Sequence, residues 1–347
     1  MIEKSYKKDE WQGALAKLAK ESRVIAPVNG GTHSVFKTLE EGDVPDFKSS
    51  KTRLSPKSVV FPQSERMFEY SLDEESEENG ILKEAKKDYA EKFVAGIRPC
   101  DARSFKLVQV NFDTPTYKDP WWINNYESTT FIGQACNKAC STCFCTSTGG
   151  SPFGEEGLDV VTVDMGDSFL VKSVTDKGEK LLNTIGGGAD ATDDMKTKVA
   201  ELEKAAVASV KSEIKTDNLK ELKETDLFEA DFWKDTFDGC INCGGCTFSC
   251  PTCWCFDIQD EVQKKEGDRI RNWDSCMFPL FTKHGMGHNP RDQKFQRIRQ
   301  RFMHKLKYYP DKYDKGIMCV GCGRCVEVCP ANIDIRRVAE LMNNYSK

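Results

Sequence analysis

The chain has 347 residues, a formal net charge of -5 and sixteen cysteines. That length supports two or three domains with a substantial core, the mild acidity argues against nucleic acid as a main partner, and no apolar run is long enough to span a bilayer. The opening Met1-Ile2-Glu3-Lys4-Ser5 forms neither an apolar signal stretch nor a twin-arginine leader, so a reducing cytoplasm is expected, with any membrane contact made through a partner.

Between Lys8 and Lys20, Trp11, Leu15, Leu18 and Ala19 recur at helical spacing, and Val24 to Val28 reads as a strand closed by Asn29-Gly30-Gly31. Residues 54–62 read as a loop running into a short strand, and the acidic run from Asp73 to Asn79 as a solvated turn. His33 stands alone and marks no site. Phe93-Val94-Ala95-Gly96-Ile97 reads as a buried strand. Arg98-Pro99-Cys100-Asp101 then breaks it ahead of an amphipathic helix through Phe105, Leu107, Val108 and Val110, with Asp101 as N-cap. Thr130 to Gly133 is a further strand, and Cys136, Cys140, Cys143 and Cys145 come directly after it. If the two strands are parallel neighbours, both cysteine loops open on one edge of the sheet, where open α/β folds place ligands. A [4Fe-4S] cluster there would take four of the five thiols. Cys100, Cys136, Cys143 and Cys145 are favoured and Cys140 is the spare; a zinc site or simply buried thiols are the alternatives.

Val160 to Val174 reads as a β-hairpin around Asp164-Met165-Gly166-Asp167. Gly186-Gly187-Gly188 lacks the surroundings of a phosphate loop, and no nucleotide motif occurs elsewhere, so neither flavin nor nucleotide is expected on this chain alone. Residues 191–227 read as a charged helical connector between an α/β domain at 1–190 and a second domain at 228–347.

That second domain carries the strongest signal. Cys240, Cys243, Cys246, Cys250 and Pro251 follow the pattern C-x2-C-x2-C-x3-C-P, which recurs at Cys319, Cys322, Cys325, Cys329 and Pro330. Two such runs hold a pair of [4Fe-4S] clusters, the fourth cysteine of each run ligating the other run's cluster. One cluster is therefore assigned to Cys240, Cys243, Cys246 and Cys329, and its neighbour to Cys319, Cys322, Cys325 and Cys250. Gly244, Gly245, Gly321 and Gly323 ease the wrapping of backbone around inorganic sulfur. Zinc ribbons also use paired Cys-x2-Cys, but zinc has no use for the third and fourth cysteines of each run. Residues 256–315 separate the runs and are expected to be a long helical insertion. The fold expected is α+β: an N-terminal α/β domain followed by a bacterial-type two-cluster ferredoxin domain with that insertion.

Cys253, Cys255 and Cys276 lie outside both runs and read as small buried residues, with cluster neighbours or redox-active thiols as alternatives. His284 and His288 have metal-ligand spacing, but Gly285 and Gly287 argue against a rigid helical site. The basic stretch from Arg297 to Lys305 reads as a solvated helix face, or else as a surface for an acidic partner or for the clusters' own charge. Cluster cysteines with no flavin, nucleotide, molybdenum or nickel motif describe a conductor rather than a catalyst. The rival reading is a redox enzyme that reduces a sulfur compound or disulfide at Cys253, Cys255 and Cys276.

Gly96-Ile97-Arg98-Pro99-Cys100-Asp101, the run from Cys136 to Cys145, Asp164-Met165-Gly166-Asp167, Cys250-Pro251-Thr252-Cys253-Trp254-Cys255-Phe256-Asp257 and the stretch from Trp273-Asp274-Ser275-Cys276 to His288-Asn289-Pro290-Arg291 together resemble one family. From about residue 54 onward the chain is similar to the iron-sulfur subunits that include those of anaerobic sulfite reductase and the cytoplasmic sulfhydrogenase β subunit. The resemblance implies a non-catalytic subunit that relays electrons, with an NAD(P)H-linked FAD subunit on one side and a catalytic partner such as a nickel-iron hydrogenase or a siroheme sulfite reductase on the other. A glycine often stands in that family where Cys140 stands here, which agrees with Cys140 being the spare.

Overall fold

The computed structural model describes residues 2–49, 51–235 and 237–346. In chain order its strands are β1 (Glu3–Lys7), β2 (Arg23–Asn29), β3 (Ser34–Thr38), β4 (Ser64–Ser71), β5 (Lys83–Glu84), β6 (Lys92–Ile97), β7 (Thr129–Gln134), β8 (Val160–Asp164), β9 (Ser168–Ser173), β10 (Ala189–Asp190), β11 (Phe256–Gln263) and β12 (Glu266–Trp273). The helices of the first part are α1 (Lys8–Glu21), α2 (Pro99–Gln109), α3 (Pro120–Glu127), α4 (Asp176–Ile185) and α5 (Asp193–Ser209). The architecture is mixed α and β, as expected.

An eight-stranded sheet, β10-β1-β9-β8-β7-β6-β2-β3, organises this part. Its central strands β2, β6, β7 and β8 run parallel, and antiparallel strands complete both sides. Every residue of β6 and β7 is buried, because helices cover both faces of the sheet and leave such strands no polar side. Val94, Phe131 and Val161 share a core with Phe105 and Val108 of α2 and Trp122 of α3. Their neighbours Phe93, Ala95, Ile132 and Val160 pack in a second core with Trp11 and Leu15 of α1 and Leu181 and Leu182 of α4.

The exit from β6 decides where the first cysteine goes. Gly96 has φ +74° at a register shift between Ala95 and Ile97, and a Cβ there would meet the Phe47 ring at 2.9 Å. A bulge of this kind bends the strand and re-aims the residues after it, here Arg98-Pro99-Cys100. Helix α2 starts at Pro99 with Arg98 in the cap position, so the cap role expected of Asp101 does not occur. Proline at the first helical position has no N–H to satisfy and a preset φ, and the Asp101 carboxylate is instead taken by an arginine 223 residues away.

Residues 256–315 depart from the expected helical insertion. They open with the hairpin β11–β12, joined by Lys264-Lys265 with Lys264 at φ +60°. Phe256, Ile258 and Val262 alternate with polar residues at the odd positions, a period-two pattern that favours a strand. Strand β12 pairs with β4, giving a second sheet, β11-β12-β4-β5, that joins early and late parts of the chain. Helix begins only at Lys294–Met303, with helical turns continuing to Tyr313. Of the expected connector, only α5 and short turns are helical, and Ala206 of α5 packs into the core of the large sheet. The short strand expected in residues 54–62 is a 3-10 turn at Pro56–Val59, and the strand starts at Ser64.

The last third has its own core, in which Ile298, Phe302 and Leu306 meet Val338, Ala339 and Met342 of the C-terminal helix Ile335–Asn343. Among the described residues no helix is long and apolar enough to cross a membrane.

Candidate metal centre

The two cysteine runs adopt matching local structures. In each, the residue two beyond the first cysteine has positive φ and points its N–H at that cysteine's sulfur. Asn242 does this at 3.4 Å from Cys240 Sγ and Gly321 at 3.4 Å from Cys319 Sγ. The next glycine, Gly244 or Gly323, also has positive φ and starts a helical turn, Gly245–Phe248 or Arg324–Glu327. Three sulfurs thus converge from one tight loop, with backbone N–H groups turned inward.

Cys240, Cys243, Cys246 and Cys329 line a single cavity walled by Met277, Ile298, Phe302 and Ile333. These are the four residues that the exchange rule puts together. Ile333 donates its N–H to Cys329 Sγ at 3.2 Å. Cys243 is exposed, so this cavity reaches the surface. Cys250 lies between the two runs: burial pushes the Cys319 and Cys322 thiols up to about 12 and about 11, the nearby Cys250 sulfur adds to both, and it also raises Cys246 of the first run. Binding iron therefore means releasing protons from buried thiols. Cys250 moves the other way, held well below the usual thiol range by a hydrogen bond from Cys253, with Lys305 and Thr252 assisting.

The five cysteines of the large sheet come together as the parallel pairing of β6 and β7 requires. Cys100, Cys136, Cys140, Cys143 and Cys145 line one cavity with Lys51, Arg98, Gly321 and Cys322. All five are present, so the geometry brings the spare Cys140 to the same place as the favoured four. Cys322 belongs to the second run, which makes this cavity contiguous with the second sulfur group. The junction is tight: Phe144 N–H donates to Gly321 O at 2.8 Å, and Cys143 Sγ lies 3.6 Å from Cys322 O. Lys51 spans it, with Nζ 2.7 Å from Cys322 O, 4.0 Å from Cys143 Sγ and 2.8 Å from Glu327 Oε1. Arg324 clamps it from inside, pairing both guanidinium nitrogens with the Asp101 carboxylate at 2.5 and 2.8 Å, each partner 1% exposed.

Among the described residues no group of three or more His, Cys, Asp or Glu is arranged to hold a single metal ion. A cubane spreads its thiolates farther apart than one zinc ion does, so the thiol-only donor sets and apolar walls fit iron-sulfur clusters better than zinc.

Buried cations are the functional residues that sequence reasoning leaves undecided. Lys57, Arg301 and Lys305 are 6%, 3% and 4% exposed, and among the described residues none forms an ion pair with a carboxylate. Burial works against the charge of Arg301, yet Cys246, Cys325, Cys253 and Cys250 hold it well above its usual range. Lys305 is likewise raised despite burial, through Cys250 and Cys253. The signal lies in the spacing: Arg297, Arg301 and Lys305 recur every four residues, on the helical face that also buries Ile298 and Phe302. Part of the basic stretch thus faces sulfur rather than solvent. His284 and His288 sit in an exposed turn closed by a 2.8 Å bond from His284 N–H to His288 O.

Residues 239–333 match the model of the 4Fe-4S dicluster domain family. The chain is 28% identical over 328 residues to sulfhydrogenase 2 subunit beta of Pyrococcus furiosus, covering 93% of each chain. No solved structure matches it.

Proposed function

From its similarity to sulfhydrogenase 2 subunit beta and its match to the 4Fe-4S dicluster domain, we propose that this chain carries electrons through three [4Fe-4S] clusters between a catalytic subunit of the hydrogenase or sulfite reductase type and a flavin-containing NAD(P)H-linked subunit. Cys240, Cys243, Cys246 and Cys329 hold the first cluster; Cys319, Cys322, Cys325 and Cys250 hold the second. Cys100, Cys136, Cys143 and Cys145 hold the third, on the α/β part at residues 1–190, with the ferredoxin pair on 228–347. When bound, such clusters accept and pass single electrons.

The observation that carries this reading is the contiguity of the three sulfur groups. They run from exposed Cys243, through the second run, to the Cys136–Cys145 loop, with Cys322 lining the third cavity. The chain's residues exclude water from the path through Phe302, Ile298 and Met277, and they balance the charge of thiolate and sulfide with Arg301, Lys305 and Lys51. The exposed end beside Cys243 and Ile241 suits electron exchange with a docked partner.

The test is a redox titration of anaerobically purified protein followed by electron paramagnetic resonance, with Cys145→Ser and Cys329→Ser measured beside the wild type. Each substitution is expected to remove one reduced-cluster signal and about four iron atoms. Turnover of polysulfide or a disulfide by the isolated chain, abolished by Cys276→Ser, would replace the relay with the redox-enzyme reading.

A further inference from the structure

Three cysteines remain outside the three sulfur groups, and the fold gathers them. The chain leaves the first run at Cys250-Pro251, passes Cys253 and Cys255, and travels out along β11. The hairpin returns it along β12, where Phe256 pairs with Trp273 and Asp274 N–H donates to Cys255 O at 2.9 Å. Two residues later comes Cys276, which is buried and donates to the Cys255 sulfur from both its thiol and its backbone N–H. Cys253 lies close enough to Cys255 and Cys276 to interact with them electrostatically, and its thiol hydrogen-bonds to the Cys250 sulfur. The neighbouring Ser275 is fully buried, anchored by a 2.8 Å hydrogen bond to Thr247 in the first run.

The surroundings are cationic. Lys57 Nζ lies 3.1 Å from both Cys250 O and Cys253 O and 4.0 Å from the centre of the Trp273 ring. Lys305 Nζ donates to Thr252 Oγ1 at 2.8 Å. Neither ammonium is paired with a carboxylate among the described residues. Burying two such charges is costly unless an anionic group stands beside them. The proposed second cluster accounts for the side facing Cys250, and Lys57 reaches beyond it to Cys253 O and the Trp273 ring of the hairpin.

We propose that Cys253, Cys255 and Cys276 form a fourth metal site, taking an iron-sulfur cluster on three thiolates beside the second cluster, with Lys57 and Lys305 balancing its charge. A dithiol switch needs two sulfurs and leaves the third unexplained. A structural zinc ion closes with four protein ligands, while an iron-sulfur cluster tolerates a fourth iron bearing solvent or a small sulfur ligand. Trp254, between Cys253 and Cys255, lines a cleft of about 690 Å³ shared by Trp121, His304 and Tyr309, so the site stands one residue from a surface opening. The site takes its neighbours from the relay reading, but its iron is counted separately from theirs.

The experiment measures iron, acid-labile sulfide and zinc in anaerobically reconstituted full-length protein. The wild type, Cys145→Ser and the double variant Cys255→Ser/Cys276→Ser are compared. The wild type is expected to hold about sixteen iron atoms, and each variant about twelve. The double variant keeps the paramagnetic signals of the ferredoxin pair, and Cys145→Ser loses a different signal. The site is overturned if the double variant retains wild-type iron, if zinc rather than iron is lost with the thiols, or if a Cys255–Cys276 disulfide is found by mass spectrometry in anaerobic wild-type protein. Should the double variant fail to fold, the wild type still decides. A count near twelve, falling to about eight in Cys145→Ser, assigns all the iron to the other three clusters and removes the fourth.

Discussion

Replacing Gly321 by alanine probes the junction on which the proposed relay depends. Gly321 has φ +63°, and a Cβ there would lie 2.5 Å from Cys145 N, 2.5 Å from the Phe144 carbonyl carbon and 2.6 Å from Cys145 Cα. Those are backbone atoms, so relief requires the Cys143–Cys145 loop itself to move. Left-handed backbone costs an L-residue about 1–2 kcal/mol, overpacking adds about 1–3, and the strained Phe144 N–H to Gly321 O bond about 1 more. A loss of about 3–6 kcal/mol is expected, a large share of an ordinary domain's stability. Asn242 supplies the control, because it holds φ +53° at the equivalent position of the first run. Asn242→Ala meets the backbone cost without that close approach and also loses the hydrogen bond that Asn242 Oδ1 accepts from Cys240 Sγ at 3.3 Å, so about 2 kcal/mol is expected. Both variants are to be compared by anaerobic denaturant titration, with iron retention and magnetic interaction between the reduced clusters as second readouts. Equal costs for the two alanines, or unchanged cluster interaction in folded Gly321→Ala, would refute the packing of Phe144-Cys145 on the second run.

The Asp101–Arg324 pair is fully buried, so Asp101→Leu or Arg324→Met alone is expected to cost about 3–5 kcal/mol by leaving an uncompensated charge. The double variant should cost clearly less than the sum, as a double-mutant cycle would reveal. Lys92 is buried with Nζ 2.8 Å from Asn125 Oδ1, and burial, with Arg23 assisting, lowers its pKa from 10.5 to about 8. For a lysine lowered in the folded state, the cost is fully present below about pH 8 and relieved between there and 10.5. Stability should therefore rise with alkaline pH by up to about 3 kcal/mol, and Lys92→Met should abolish that rise while stabilising the protein at about pH 7. Lys51→Met removes the ammonium 4.0 Å from Cys143 Sγ; it should lower the midpoint of the proposed third cluster by on the order of 50 mV, the one-electron equivalent of about 1 kcal/mol. Gly13 lies exposed in α1 with no atom within 4 Å of a Cβ position, so Gly13→Ala should raise stability by about 0.5–1 kcal/mol, read as a higher melting temperature.

Local chemistry is legible in the chain before any fold is known. The two cysteine runs can be read because three ligands must come from one short loop, and β6 and β7 because strands covered on both faces must be apolar throughout. Where distant segments decide, the signal fails. Asp101 has every local mark of a helix cap, yet Arg324 takes its carboxylate from the far end of the chain. The insertion carries a local period-two strand pattern at Phe256, Ile258 and Val262, but the partner that completes its sheet, β4, lies about two hundred residues earlier and is invisible locally. The second cysteine run joins both kinds of information in one short stretch. Its cysteines specify ligands by spacing alone, so the residues between them look like filler. They are not interchangeable. Asn242 and Gly321 share a backbone conformation and a hydrogen bond to sulfur, but of the two it is Gly321 that must admit the backbone of Phe144 and Cys145. Gly323 likewise meets Thr142, and Arg324 reaches Asp101. Cysteine spacing therefore specifies which clusters the runs can form, and the spacer residues Gly321, Gly323 and Arg324 specify that the second run is pressed against the Thr142–Cys145 loop and Asp101. On the relay proposed above, a chain that kept all sixteen cysteines and lost those three spacers is expected to retain iron, with the relay cut at the junction.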